Sequence, residues 1–260
     1  LIEYNKEKLK KFDINSKEYA DEILTKVQIS NFQVSKIEKK RVRRNPFPPF
    51  TTSTLQQEAS RKLGFSASKT MMIAQKLYEG IKLSKETSGL ITYMRTDGVQ
   101  IGSESINNIR NRISLDYGKD FLPESPRLYK SKAANAQEAH EAIRPTNFDL
   151  DPISVSSFLD NDQFKLYDLI WKRTISSQMQ SAEIDKTSVD ITSNDKKIVF
   201  RINGSQIYFH GFLKIYKEGL DENNIDKSDE NEDNRIIPLV KDNESVNLNS
   251  SETLQHFTQP

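Results

Sequence analysis

Tyr93 and Arg95 lie two residues apart in the stretch Leu90-Ile91-Thr92-Tyr93-Met94-Arg95-Thr96-Asp97-Gly98. Alternation from Leu90 to Arg95 suggests an extended segment, which turns both side chains to one side. A phenol with a pKa near ~10 is a weak nucleophile at neutral pH. A nearby guanidinium favours the phenolate and can grip a phosphate through two parallel hydrogen bonds. The pair is therefore suited to attack on a phosphodiester, with the arginine stabilising charge on the phosphoryl oxygens. The same spacing also fits an edge strand with a half-buried tyrosine and a solvated arginine.

A second constellation is Gln137-Glu138-Ala139-His140-Glu141-Ala142-Ile143-Arg144-Pro145. Read as a short helix over 138–144 closed by Pro145, it puts Gln137, His140, Glu141 and Arg144 on one face. His140 can be cationic or a donor near neutral pH, and with Arg144 it can bind a phosphate. It is one of only three histidines, with His210 and His256, so its clustering with polar neighbours stands out. The string lacks the second histidine of His-Glu-x-x-His, which rejects a zinc protease. A capped surface helix with an incidental histidine is the competing reading. The run Lys39-Lys40-Arg41-Val42-Arg43-Arg44 suits either phosphate contacts or a solvated strand end. No carboxylate or histidine cluster suggests a metal site, and no Gly-x-x-x-x-Gly-Lys-Ser phosphate loop occurs.

Several elements must position these residues. A short helix is expected over 18–26. After it, residues 27–37 alternate apolar and polar, the period of a half-buried strand. The prolines at 46, 48 and 49 lack the donors to continue a ladder. Thr52-Ser53-Thr54 supplies N-cap chemistry for a helix over 55–63, with Gly64 at its C-terminal end. Residues 66–68 cap a second helix over 69–79, stopped by Gly80. The pair has helix-turn-helix spacing. Further helices are expected over 103–114 and 160–179, the latter with Phe164, Leu166, Tyr167, Leu169, Ile170 and Trp171 on a wide apolar face. Strands are expected over 187–192, 197–202, 206–212 and 236–246. Asn194-Asp195 and Asn203-Gly204 are the candidate hairpin turns, and the second is the stronger signal.

The expected fold class is α+β and multidomain. Residues 1–50 and 181–260 would form one discontinuous antiparallel β domain. A mostly helical domain of residues 51–180, containing the helix-turn-helix-like pair, would be inserted into it.

Composition narrows the function classes. The chain has 260 residues, with 38 Lys+Arg against 37 Asp+Glu, so a uniformly basic nucleic-acid coat is excluded. The charge is uneven, at +5 over residues 1–50, +2 over 51–180 and −6 over 181–260, where an acidic loop spans 217–235. Cysteine is absent, which removes disulfides and thiolate chemistry and fits a cytoplasmic location. No apolar run reaches the roughly 20 residues of a membrane helix. The start at Leu1 and the end at Pro260 look like boundaries of a piece of something longer.

Four motifs, in order, carry a resemblance. They are residues 49–59 (Pro-Phe-Thr-Thr-Ser-Thr-Leu-Gln-Gln-Glu-Ala), 69–80 (Lys-Thr-Met-Met-Ile-Ala-Gln-Lys-Leu-Tyr-Glu-Gly), 90–97 and 138–145. Together they closely resemble bacterial DNA topoisomerase I, the type IA family. Residues 209–216 and 256–260 also look like family segments, and residues 1–45 match least.

The resemblance implies part of a toroidal, ATP-independent enzyme that relaxes negatively supercoiled DNA. It does so by transient single-strand cleavage, strand passage and religation. Tyr93 matches the nucleophile that forms a 5′-phosphotyrosine link. Arg95 matches the arginine at the scissile phosphate, and His140 matches a histidine that assists DNA binding and catalysis. Gln137, Glu141, Arg144, Thr96 and Asp97 are carried over as DNA-contacting residues. Gly98 stands where many relatives have serine, with little consequence expected at a permissive turn. The family's catalytic acids and Mg²⁺ ligands lie in an N-terminal TOPRIM domain that nothing here matches. The β domain would be the arch and hinge, and the helical domain a lid carrying Tyr93. The implied partners are a single-stranded segment of DNA and the TOPRIM domain of the same chain, with no membrane. Alone, the fragment is expected to bind single-stranded DNA weakly and be inactive. A non-catalytic helix-turn-helix module, or a β-rich scaffold whose helical insert docks proteins, are the competing classes.

Overall fold

The computed structural model describes all residues except 11, 85, 131–139, 218–236 and 255–260. The chain forms two compact units. The first comprises Leu1–Val42, Ile184–Ile207 and Asp226–Pro260, and the second Arg43–Glu183 and Tyr208–Ile225. The fold is α+β.

In chain order the elements are β1 (Glu3–Tyr4), β2 (Glu7–Lys8), α1 (Lys17–Ile29), β3 (Phe32–Arg44), α2 (Thr52–Leu63), α3 (Ala67–Glu79), β4 (Ile81–Lys82), β5 (Thr87–Ser88), α4 (Ser103–Asp116), α5 (Pro152–Val155), α6 (Asn161–Ser177), β6 (Ala182–Ser193), β7 (Ile198–Phe209) and β8 (Ser245–Val246). The first unit is built on a six-stranded sheet in the order β2-β1-β7-β6-β3-β8. Helix α1 begins at Ser16, whose side chain accepts from the Tyr19 amide. It places Ile23 and Val27, one turn apart, into a core with Tyr4, Phe32 and Ile198. Phe32 and Phe200 meet edge to face at 5.7 Å between ring centroids.

Three expectations about this sheet are corrected. The helix extends to Ile29, so the strand begins at Phe32 rather than Val27. Asn203-Gly204 makes no turn. It lies inside β7, where Asn203 Oδ1 accepts from the Ser188 hydroxyl at 2.9 Å. The chain reverses instead at Asn194-Asp195, with Lys196 at φ 59° and the Ser193 hydroxyl donating to Asp195 at 2.6 Å. A turn dipeptide is only a local preference, and the continuous strand Ile198–Phe209 overrides it at 203–204. Within the expected strand over 236–246, the described residues form only Ser245–Val246, paired antiparallel with Phe32 and Gln33.

The basic run 39–44 continues β3. Arg41 donates to both carboxylate oxygens of Asp185, at 2.7 and 3.0 Å, and Arg43 donates to Glu183 at 3.2 Å. Both acids lie on β6, so part of this basic run serves pairing between strands.

The second unit is helical. Thr51, not Thr52–Thr54, is the N-cap of α2, in a capping box with Thr54. Gly64 ends α2 at φ 67°, the left-handed conformation that favours glycine. Ser66 caps α3. Helices α2 and α3 pack on each other and on α6. Helix α6 starts in a capping box between Asp160 and Gln163, and it buries Leu166, Tyr167, Leu169, Ile170 and Trp171. Its apolar stripe therefore faces the core, as the pattern predicts. Arg173 of α6 is only 2% exposed. Its guanidinium donates to the Pro48 carbonyl at 2.7 Å and lies over the rings of Phe47, Phe50 and Tyr216. Among the described residues, no helix is long and apolar enough to cross a membrane.

Candidate active site

Three extended segments of the second unit, far apart in sequence, come together here. Phe50 bridges antiparallel to Ile143, and Ile91 bridges antiparallel to Pro145. Phe50, Ile91 and Ile143 are fully buried, so apolar burial holds the three segments. The Leu90 amide donates to the Leu77 carbonyl at 2.7 Å, which ties the Tyr93 segment to the end of α3.

The helix expected over 138–144 is corrected for the residues described. His140–Arg144 is not helical. The Ala142 amide donates to the Gln100 carbonyl and the Ile143 amide to the Phe50 carbonyl, each at 2.9 Å. These distant partners replace the i−4 carbonyls of a helix. Pro145 adds to this by disfavouring the α conformation at Arg144. Gln137 lies outside the described residues.

Along the Tyr93 segment, exposure alternates. Tyr93, Arg95 and Asp97 are exposed, while Met94, Thr96 and Gly98 are buried. Tyr93 and Arg95 thus share the solvent side as expected, although only Ile91 makes a β bridge. The Tyr93 ring, 36% exposed, meets the Tyr78 ring edge-on at 5.4 Å and the His140 ring at 5.3 Å. His140 itself is exposed. Among the described residues, nothing pairs the Arg95 guanidinium.

Other residues of the two motifs point inward. Thr96 is 7% exposed, and its hydroxyl accepts from the Gly98 amide at 2.9 Å. Glu141 links two features. One carboxylate oxygen accepts from the Gly102 amide at 2.8 Å, at the N-terminus of α4, where negative charge is favoured. The other accepts from Arg144 Nε at 2.9 Å and from a second guanidinium nitrogen. Arg144 also donates to the Pro145 carbonyl at 2.8 Å. Arg144 and Glu141 therefore neutralise each other beside the site, while Arg95 and His140 of the same two motifs face solvent.

Gly98 has a stronger constraint than expected. A Cβ here would sit 2.3 Å from the His140 carbonyl oxygen and 3.2 Å from the Thr96 hydroxyl. Its φ is not in the left-handed region, so the constraint is space rather than backbone conformation. Gly98 lets the loop after Tyr93 pack directly on the backbone of His140.

An exposed tyrosine with a histidine against its ring and an arginine two residues on is an arrangement able to engage a phosphodiester. A family model described as DNA topoisomerase matches residues 2–260. The chain belongs to the DNA topoisomerase family. It is 50% identical over its whole length to DNA topoisomerase 1 of Rickettsia bellii, covering 32% of that protein. It is 46% identical to DNA topoisomerase 1 of Xylella fastidiosa strain Temecula1, again covering 32%. The full-length topoisomerase I of Thermotoga maritima superposes with a TM-score of 0.70 at 35% identity, over 86% of this chain and 34% of that one. The chain thus spans about a third of the length of the curated topoisomerases it matches.

Sequence reasoning missed three residues of this candidate site and underrated a fourth. Tyr78 stands in the sequence only as part of a motif, Thr92 and Thr52 are not singled out for the site, and Gly98 is read as a permissive turn residue rather than as a packing constraint. The Thr92 hydroxyl donates to the Ala142 carbonyl at 2.7 Å and accepts from the Arg144 amide at 3.0 Å, which locks the Tyr93 and His140 segments together. Its only sequence signal was its place immediately before the candidate nucleophile.

Proposed function

We propose that this chain carries the strand-cleaving nucleophile and gate of a type IA DNA topoisomerase. The Tyr93 hydroxyl oxygen attacks the phosphorus of one strand of negatively supercoiled DNA. The bond from phosphorus to the 3′ oxygen breaks as the bond to Tyr93 forms, and the phenol proton passes in net terms to the departing 3′ hydroxyl. The 5′-phosphotyrosine conserves the phosphodiester, so reversal rejoins the strand without a nucleotide cofactor. Arg95 binds the non-bridging oxygens, where charge grows in the transition state. His140 donates to the bound strand beside the Tyr93 ring. Thr96, Glu141 and Arg144 act by holding these groups in place rather than by touching DNA, and Asp97 flanks the site.

The observation that carries this reading is the exposed Tyr93 ring in contact with His140, with Arg95 exposed on the same side. Mg²⁺ is expected of the whole enzyme from the family resemblance. Among the described residues, no group of three or more His, Asp or Glu is placed to hold a metal ion. We place the Mg²⁺ ligands in the TOPRIM domain. The β-sheet unit serves as arch and hinge, and the helical unit as the lid that lifts to pass a strand. By itself the chain binds single-stranded DNA weakly and does not relax supercoils. We place the enzyme in the cytoplasm.

The test mixes the chain with a separately made TOPRIM domain, Mg²⁺ and a labelled single-stranded oligonucleotide. A covalent protein–DNA adduct that disappears in Tyr93→Phe is the expected result. DNA binding that never yields an adduct overturns the proposal, as does relaxation of plasmid by the chain alone.

A further inference from the structure

Helix α2 opens with two threonines whose hydroxyls do different jobs. Thr51 is the N-cap, and its side chain accepts from the Thr54 amide at 3.3 Å. This leaves the Thr52 hydroxyl free of the helix. It reaches the nucleophile loop instead, donating to the Met94 carbonyl at 2.8 Å and accepting from the Thr96 amide at 2.8 Å. The Thr96 carbonyl lies 3.1 Å from the same hydroxyl and accepts the Thr52 amide at 2.9 Å. Met94 and Thr96 are the two neighbours of Arg95, and both side chains are buried. The backbone on each side of Arg95 is thus fixed to one hydroxyl.

We propose that Thr52 is a positioning residue that clamps the backbone on both sides of Arg95, holding the guanidinium in register with the Tyr93 hydroxyl for attack on the phosphodiester. The inference rests on the function proposed above and adds a residue to it. Arg95 is exposed, and among the described residues nothing holds its side chain. Its position is therefore set by its backbone. A hydroxyl is required because the clamp both donates and accepts, which a hydrocarbon of the same shape cannot do. Thr92 does the same for the neighbouring segment, with Ala142 and Arg144 as its partners. The two threonines fix the arginine side and the histidine side of Tyr93 separately.

The test compares Thr52→Val, which keeps the shape, with Thr52→Ser, which keeps the hydroxyl. Two readouts are taken, amide hydrogen exchange at Thr96 in the chain itself and the rate of adduct formation in the TOPRIM mixture. In Thr52→Val, exchange at Thr96 should rise about tenfold or more while the α2 and α6 amides stay protected. Adduct formation should slow by about 10- to 100-fold in kcat with oligonucleotide KM little changed, because misplacement of a positioned group acts on the reaction step. Thr52→Ser should restore both. Unchanged Thr96 exchange in Thr52→Val overturns the clamp whatever the DNA chemistry. An unchanged adduct rate despite faster exchange overturns its role in positioning. Absence of an adduct from the unsubstituted chain counts instead against the function proposed above, and the exchange readout still decides the clamp.

Discussion

The rings of Tyr93 and His140 lie 5.3 Å apart, centroid to centroid, at an interplanar angle of 56°. The contact is made by residues of two segments that share no secondary-structure element. The Thr92 hydroxyl and the buried bridges of Phe50 with Ile143 and Ile91 with Pro145 hold them together.

Tyr93→Phe removes the proposed nucleophile but leaves the ring against Tyr78 and His140. Adduct formation should vanish, while stability changes by no more than about 0.5 kcal/mol, the usual range for a surface change. A denaturing gel of the oligonucleotide reaction and a urea unfolding curve measure the two. A marked loss of stability would mean that the hydroxyl has a structural role.

Gly98→Ala should displace the His140 carbonyl, because the new methyl group has only 2.3 Å to the carbonyl oxygen. A backbone neighbour yields less readily than a flexible side chain, so a cost of about 1–3 kcal/mol is expected. The His140 ring signals should move in an NMR spectrum as the ring leaves Tyr93. A variant as stable as the parent, with unmoved His140 signals, would refute this packing.

Glu141→Ala removes the acceptor for the Gly102 amide and the partner of Arg144 in one step. The carboxylate is more than a third exposed, so the cost is discounted for solvent screening to about 1–2 kcal/mol. Glu141→Gln keeps an acceptor oxygen and should lose about half of that. Urea midpoints in the order parent, Gln, Ala are expected, and equal midpoints for Gln and Ala would show that the charge alone matters.

Alkaline stability depends on buried phenols. Tyr129 donates to the Ser177 carbonyl at 2.8 Å, and burial pushes its pKa up to about 12 from an ordinary value of 10.0. Burial also raises the pKa of Tyr167, whose hydroxyl donates to the Leu150 carbonyl at 2.6 Å. A phenol with a raised folded-state pKa keeps its proton while the unfolded chain loses it. Its contribution is complete below pH 10.0 and is lost as the pH rises toward about 12. Unfolding free energy should fall over that window, by up to about 3 kcal/mol from Tyr129. In Tyr129→Phe the fall should be shallower, and an unchanged slope would rule out this residue as a cause.

Helices were legible where their signals are local. Ser66 at the start of α3, Gly64 and Gly80 at the ends, and the apolar stripe of α6 are all set by neighbours within a few residues, whereas the cap of α2 is Thr51 rather than the expected Thr52–Thr54. The segment from His140 to Arg144 was misread as helix because its polar spacing fits a helical face equally well. What decides it are carbonyls of Gln100 and Phe50, which no local pattern announces. Asn203-Gly204 failed for the related reason that a turn preference is weaker than the pairing of a long strand.

The sequence by itself determined the chemical inventory. It supplied a tyrosine and an arginine two residues apart, a histidine in a second motif, and an order of motifs sufficient to place the chain beside the type IA enzymes. The tertiary structure decided which of these residues face solvent and which face inward. Tyr93, Arg95 and His140 are exposed, whereas Thr96 is buried and Glu141 and Arg144 bind each other. It also decided the part of Thr52, a residue that reads from sequence as one of several helix-capping threonines. The physical reason is the reach of the interactions. Capping and periodicity act within a turn or two, but a buried amide or carbonyl takes whichever partner the fold brings to it.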